Sequence, residues 1–323
     1  MHRILIIKTS SMGDIIHCLP VIADIHAALP QAHIDWVVEE NFADIPRMHA
    51  GIHQIFMVNI RRWRKALFNR QTWAEIKAFK RSLPSYDAVI DCQGLTKSAL
   101  ITRLTKGITH GFDWHSGRDP FASIFYVKNH AVSLQQDAVA RNRELVARAL
   151  GYEIPQSAPN YGITIKDDIS ERLLAIESQA DYIITLHGTS RDSKLWPVAN
   201  WVALGKALAE KKLSLVLPWA NASEFARANE IAHQLTNAHV LPKLSIAEVA
   251  HVITKAHAAV GVDTGLSHLA AALNIPIVAI YTDTNPALNG VIAGSVTRAV
   301  NLGNIGIVPS ADEVIEVFFK ITI

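Results

Sequence analysis

Three loops of the chain gather residue types that can do chemistry together. The first reads Lys8-Thr9-Ser10-Ser11-Met12-Gly13-Asp14. Gly13 permits a tight turn and Asp14 stands where a helix opens. A carboxylate there is either a helix N-cap or a general base at the mouth of a strand, and spacing alone leaves both readings open. The second runs His187-Gly188-Thr189-Ser190-Arg191-Asp192-Ser193-Lys194-Leu195-Trp196-Pro197. Its hydroxyls and backbone N–H groups suit a phosphate, with Lys194 as a point charge, although an ordinary polar loop has a similar composition. The third is Val262-Asp263-Thr264-Gly265-Leu266-Ser267-His268. A strand ending at Asp263 and a helix starting within two residues make an anion site from free N–H groups and the positive dipole end, and Gly265 lets a phosphate approach. His268 lies one helical turn after Thr264. Asp263 as a plain N-cap and His268 as a core histidine are the alternatives.

Two further segments carry charge. Glu224, in Pro218-Trp219-Ala220-Asn221-Ala222-Ser223-Glu224, could accept ribose hydroxyl bonds or simply complement a helix dipole. Residues 61–81 hold Arg61, Arg62, Arg64, Lys65, Arg70, Lys77, Lys80 and Arg81 against the single acid Glu75, with Trp63, Phe68 and Trp73 interleaved. A solvated helical face, a nucleic-acid patch and a contact for an anionic membrane or phosphorylated substrate would each use this pattern. Arg118 adds a cation in the Gly-containing loop that follows Asp113.

Other chemistries are excluded or weakened. The Gly-x4-Gly-Lys-[Ser/Thr] spacing is missing, as is Gly-x-Gly-x-x-Gly, which counts against P-loop and dinucleotide readings. No Asp-x-Asp occurs, so neutralisation of a diphosphate by Lys194 and a helix start is favoured over a divalent metal. Two cysteines, Cys18 and Cys92, are too few for a disulfide scaffold or a structural zinc site. No signal-peptide pattern and no stretch of about 18 apolar residues is visible, so the sequence predicts a cytoplasmic protein whose membrane contact is peripheral.

These loops need a scaffold that brings strand ends together. Strands are predicted at Arg3–Lys8, Ile34–Glu39, Ile55–Ile60, Asp87–Cys92 and Gly107–Phe112, then at Tyr182–Leu186, Leu213–Leu217, Val240–Leu241, Ala258–Val262 and Ile277–Tyr281. Helical patterns at Ile15–Ala28, Trp73–Ser82, Thr96–Thr105 and Asp137–Leu150 alternate with the first set. Patterns at Asn200–Glu210, Ser223–Leu235, Ser245–Ala256 and Gly265–Leu273 alternate with the second, and an amphipathic helix ends the chain at Ala311–Ile321. Repeated βα units imply an α/β protein of two Rossmann-like domains, their parallel sheets facing across a cleft, with ligands beyond the carboxyl ends of the strands. The 323 residues fit two domains at roughly 150 residues each. The Gly/Pro-containing stretch Gly151–Gly162 is the linker candidate. The expected layout is residues 1–155, residues 156–310, and a final helix at 311–323 that packs back on the first domain. Net charge is +2, yet residues 1–150 carry 19 basic and 13 acidic side chains and residues 151–323 carry 12 and 16, so the halves suit different partners.

The chain resembles glycosyltransferase family 9, the lipopolysaccharide heptosyltransferases, along nearly its whole length. The matching segments are Lys8–Asp14, Asp35–Glu40, Arg61–Ala66, Tyr86–Asp91, Gln93–Leu95, Lys97–Ala99, Arg143–Tyr152, Thr189–Pro197 and Val262–Leu269. The resemblance implies a GT-B fold, an acceptor-binding first domain and a donor-binding second domain. It also implies transfer of L-glycero-D-manno-heptose from ADP-heptose to Kdo2-lipid A, inverting and without a metal or cofactor. Asp14 matches the family's catalytic base. Thr189, Ser190, Lys194, Glu224, Asp263, Thr264, Gly265 and His268 match donor-binding positions. Lys8, Arg61, Arg62, Arg64 and Arg118 match the acceptor side. Ser190 stands where relatives often have Thr, and Asp283-Thr284-Asn285-Pro286 departs from their Pro-Thr-Asp-Pro type turn. Expected partners are ADP-heptose, Kdo2-lipid A and the cytoplasmic face of the anionic inner membrane, with no nucleic acid, and the expected state is a monomer. Within the family, another member acting on a different acceptor or nucleotide sugar is the alternative.

Overall fold

The computed structural model describes residues 2–165, 181–294 and 298–322. The chain divides into two compact units, Met1–Thr164 and Ile165–Ile323. Among the described residues each unit holds one six-stranded parallel sheet, with helices on the crossovers, as expected of a GT-B protein.

The first unit comprises β1 (Arg3–Ile7), β2 (His33–Glu39), β3 (Gln54–Val58), β4 (Ser85–Asp91), β5 (Lys106–Phe112) and β6 (Lys128–His130), in spatial order β3-β2-β1-β4-β5-β6. β1 is apolar over Ile4–Ile7 and fully buried there, because a central parallel strand is covered on both faces. It pairs with β2 on one side and β4 on the other, with Ile7 opposite Asp91. The chain order reverses at β1 and β4, and the loops after these two strands diverge to leave a crevice.

The second unit repeats the plan. β7 (Tyr182–Leu186), β8 (Ser214–Leu217), β9 (Ala238–Val240), β10 (Ala258–Val262), β11 (Ile277–Tyr281) and β12 (Ala299–Gly303) lie in the order β12-β11-β10-β7-β8-β9. The reversal falls between β7 and β10, with Leu186 opposite Gly261. The loops starting at His187 and at Asp263 therefore leave the same end of adjacent strands.

Helices pack by their apolar stripes. In Arg70–Ser82, Thr72, Ile76 and Phe79 lie at i, i+4 and i+7 and turn toward a core of Leu5, Val37, Val58 and Val89. Asn69 caps that helix by accepting from the Gln71 N–H at 2.8 Å. Asp137 caps the helix Ala138–Leu150 through the Val139 and Ala140 N–H groups, and Gly151, at φ 77°, ends it in the left-handed conformation.

Several expectations shift. The pattern predicts one helix over Ile15–Ala28, but two form, Met12–Ile16 and Pro20–Ala28, since Pro20 lacks an N–H and suits only a first turn. Strands β6 and β12 and the short helix Ile60–Lys65 are not foreseen; Lys-Asn-His and Ala-Val-Asn-Leu-Gly form edge strands without a buried apolar run. The stretch Gly151–Gly162 is packed on the first unit. Arg143, ion-paired with Asp24 at 2.7 Å, donates to the Ser157 carbonyl at 2.7 Å, and Tyr161 is buried. The final helix, Ala311–Thr322, lays Val314 and Phe318 into the second unit's core beside Trp196, Trp201 and Val278, so its apolar stripe is used within its own unit. Replacing Phe318 with alanine is expected to cost about 3–5 kcal/mol in the stability of this second unit. Denaturant unfolding followed by tryptophan fluorescence checks this, since Trp196 and Trp201 share the core.

Candidate functional site

The loop after β1 carries Asp14 as the third residue of the helix Met12–Ile16, whose N-cap is Ser11. Its Oδ2 accepts from the Ser11 N–H and the Ser11 hydroxyl, each at 3.0 Å. Asp14 is thus the reach-back partner of a capping box and not the N-cap itself. This leaves Oδ1 turned to the Arg118 guanidinium at 3.4 Å. The cap occupies Oδ2 alone, so capping does not exclude the chemical reading of this residue. A small cavity beside it is lined by Lys8, Asp14, Gln93, Arg118, Arg141 and Asn142.

Burial opposes the Asp14 charge, but Lys8 and Arg118, then the Ser11 backbone bond and His17, outweigh it and carry the pKa down to about 2. Lys8 is buried, its Nζ donating to the Cys92 carbonyl at 2.6 Å and to Asn142 Oδ1 at 3.4 Å. Lys8 and Arg118 both lie within electrostatic reach of Asp14.

The loop after β4 supports this arrangement, and sequence reasoning missed it. Asp91 is fully buried. Its carboxylate accepts from the Gln93 N–H at 2.9 Å, the Gly94 N–H at 3.4 Å, the Ser98 hydroxyl at 2.8 Å and the Tyr126 hydroxyl at 2.7 Å. Burial raises its pKa against these bonds. Gln93 then accepts from the backbone N–H groups of Thr9 and Ser10, each at 3.1 Å, tying one loop to the other. Lys97 donates to Ser10 Oγ at 3.2 Å; burial and then Arg61 lower its pKa, with Arg64 adding to that and Glu39 and Asp14 opposing it. Gln93 and Lys97 belong to segments that carry the resemblance, which is the signal that could have found them. Arg141 and Asn142 come from the first turns of the helix Ala138–Leu150 and have no local sequence signal.

The three arginines of the basic segment that match the acceptor side differ. Arg61 and Arg64 are exposed and within electrostatic reach of Lys97. Arg62 is engaged by Glu75 through two bonds, at 3.0 and 2.6 Å. Trp63 is a core residue that donates to the same Glu75 at 2.8 Å, whereas Phe68 is fully exposed and Trp73 half-exposed.

In the second unit the loops after β7 and β10 converge. Lys194 Nζ meets Asp263 Oδ2 at 2.6 Å, and Thr189 Oγ1 donates to the Asp263 carbonyl at 2.8 Å. The N-cap of the helix Gly265–Ala272 is Thr264, in extended backbone with no capping bond from its side chain, so Asp263 is free to take Lys194. Gly265 is the first helical residue and His268 is buried within the helix. Gly188 borders Glu224; a Cβ there would stand 2.8 Å from the Glu224 carboxyl carbon. The Glu224 carboxylate accepts from the Ala220 N–H at 2.7 Å and Asn221 Nδ2 at 2.9 Å. Ser190 is exposed. The turn after β11 also joins this group: Thr284 donates to Asp263 Oδ2 at 2.6 Å and Asp283 accepts from Ser193 at 2.6 Å. Two units thus present one carboxylate among cations and one lysine–aspartate pair at a helix start. Among the described residues no cluster of three or more His, Cys, Asp or Glu could hold a metal.

Because the folded Asp14 pKa lies below the ordinary 3.8, its ionisation adds stability above that value and loses it as pH falls through about 2. Replacing Arg118 with glutamine removes one of the cations responsible, so the Asp14 pKa is expected to rise toward or past 3.8. Carboxyl-detected NMR titration reads this, and an unmoved value would show that Arg118 contributes nothing.

A sequence profile described as glycosyltransferase family 9 (heptosyltransferase) matches residues 76–310. Lipopolysaccharide heptosyltransferase 1 of Escherichia coli K12 is 47% identical over 292 residues, covering 89% of this chain and 90% of that protein. The solved structure of the E. coli heptosyltransferase WaaC with ADP superposes with a TM-score of 0.87 at 42% identity, covering 99% of this chain and 100% of that one. WaaC with ADP-2-deoxy-2-fluoro heptose gives 0.85 at 42% identity, covering 98% and 99%. With its sheets, loops and relatives in agreement, the chain belongs to glycosyltransferase family 9, the heptosyltransferases.

Proposed function

We propose that this glycosyltransferase moves L-glycero-D-manno-heptose from ADP-heptose to Kdo2-lipid A in lipopolysaccharide core synthesis, with Asp14 as general base. The observation that supports the assignment of the base is the carboxylate in the loop and helix start after β1, whose Oδ1 lies outside the Ser11 cap, beside Arg118 and a cavity rich in cations. Asp14 takes the proton from an acceptor hydroxyl as its oxygen attacks the anomeric carbon. The bond from that carbon to the diphosphate oxygen breaks, and ADP leaves with the electron pair. A single displacement inverts the configuration.

The second unit holds the donor in this reading. Lys194, the Thr189 and Ser190 hydroxyls and the helix start at Thr264–Gly265 face charge that grows on the leaving diphosphate. Glu224 takes the ribose hydroxyls, while Asp263 and His268 complete the turn. No step of this scheme is assigned to a metal or cofactor. The first unit holds the anionic acceptor through Lys8, Arg61, Arg62, Arg64 and Arg118. Among the described residues no helix is long and apolar enough to cross a membrane. Contact with the cytoplasmic face of an anionic inner membrane is assigned to the exposed Phe68, Leu67 and Trp73 among the cations of residues 61–81, where each surface cation contributes about 1 kcal/mol. The reaction needs one copy of the chain and no nucleic acid.

Purified protein incubated with ADP-heptose and Kdo2-lipid A is expected to yield acceptor heavier by one heptose on mass analysis; a product made only with another nucleotide sugar would reassign the donor. Asp14→Ala is expected to keep ADP affinity and lose about 10²–10⁴ in turnover. Near-normal turnover would remove Asp14 from the mechanism. Lys194→Ala is expected to weaken ADP binding by roughly tenfold or more, as loss of a charge-assisted hydrogen bond does, with unchanged donor titration as the opposing result.

A further inference from the structure

The Gln93 amide stands in the Asp14 cavity with its direction fixed. Its oxygen accepts from the Thr9 and Ser10 backbone N–H groups, at 3.1 Å each, and from the Thr9 hydroxyl at 3.4 Å. Donors cannot face an NH2 group, so the hydrogen-bond network itself assigns oxygen and nitrogen. The residue is 5% exposed, and its side-chain hydrogen bonds among the described residues all fall on the amide oxygen. It opens on the cavity lined also by Lys8, Arg118 and Arg141.

The charges around it do not balance. Lys8 Nζ bonds only neutral oxygens, Cys92 O and Asn142 Oδ1, and keeps a third N–H. Arg141 donates to the Ser116 carbonyl and lies 4.9 Å above the Phe112 ring, with no carboxylate in salt-bridge range among the described residues. Arg118 faces Asp14. Three cations and one carboxylate therefore border one small cavity. Arg141 Nε is buried without a hydrogen-bond partner among the described residues, and a buried donor left unpaired is costly.

We infer that this cavity is the site of one oxyanion of the acceptor, and that Gln93 and Arg141 are specificity-determining residues that bind it. This rests on the reading of the first unit as the acceptor side. A planar carboxylate can take two parallel bonds from Arg141 and a third from the Gln93 NH2, with Lys8 opposite. A sugar acid and a lipid phosphate both offer such an oxyanion. The site holds it next to Asp14 Oδ1, the oxygen outside the Ser11 cap, and so sets which acceptor hydroxyl reaches the base.

Gln93→Glu separates this role from a structural one. Glutamate keeps an oxygen for the Thr9 and Ser10 N–H groups and changes only the group that faces the cavity. Acceptor KM is expected to rise by about tenfold or more, the loss of one charge-assisted hydrogen bond, with donor KM unchanged. Free Kdo, used alone as a sugar-acid probe, is expected to bind the wild-type chain in calorimetry and to lose that binding in Gln93→Glu and in Arg141→Gln. Kdo methyl ester is expected not to bind. Binding of inorganic phosphate in place of Kdo, lost in the same variants, would keep the oxyanion site and assign it to a phosphate. Unchanged acceptor KM together with no variant-sensitive binding of either anion overturns the inference. These binding measurements need no donor, so a wild-type chain that transfers no heptose would overturn the activity while leaving the site testable.

Discussion

The buried Asp91 carboxylate is the constraint on which the first unit's site depends. A fully buried anion is tolerable only when its lone pairs are satisfied, and here four donors converge on it from the β4 loop, the helix Thr96–Thr102 and Tyr126. Those bonds set the path of residues 92–94. That path sets Gln93, and Gln93 sets the backbone of Thr9 and Ser10. The position of Asp14 is inherited through this chain of contacts from a residue that faces no solvent.

The two units solve the same problem with opposite charge. Each reverses its strand order beside its first strand, and each puts its polar loops at that reversal. The first unit concentrates cations around one carboxylate. The second carries an acidic excess overall and uses local groups at a helix start. In the proposed mechanism an anion bound beside Asp14 offsets Lys8 and Arg118, which hold its pKa low, so the base strengthens when its substrate is in place.

The sequence was most informative where the physics is local. Continuous apolar runs marked β1, β7, β10 and β11 because buried parallel strands need them, and the loops that follow held Asp14, Lys194 and Asp263. Edge strands β6 and β12 were not legible, since pairing on one side asks little of their side chains. Spacing leaves Asp14 open between cap and base, because which of its oxygens bonds Ser11 depends on a rotamer that the sequence does not state. Arg141 and Asn142 could not be found at all, as nothing near them in sequence says that their helix starts beside the residues that follow β1. Trp63 looked like part of a charged surface, yet it fills the core and ties the Arg62–Glu75 pair to it. The Gly/Pro stretch after Gly151 had the composition of a linker, but a single buried guanidinium, Arg143, fastens it to the first unit.

The Lys194–Asp263 pair has a consequence for selectivity among small anions. The lysine charge is already balanced by a buried neighbour at 2.6 Å. A weakly charged anion gains little by approaching, since it meets a neutralised pair inside an acidic unit. Only a polyanion that also engages the adjoining helix N–H groups can compete with Asp263 for the ammonium. In the proposed mechanism the abundant monoanions of a cell therefore leave the site open, and once the diphosphate departs the aspartate reclaims its partner.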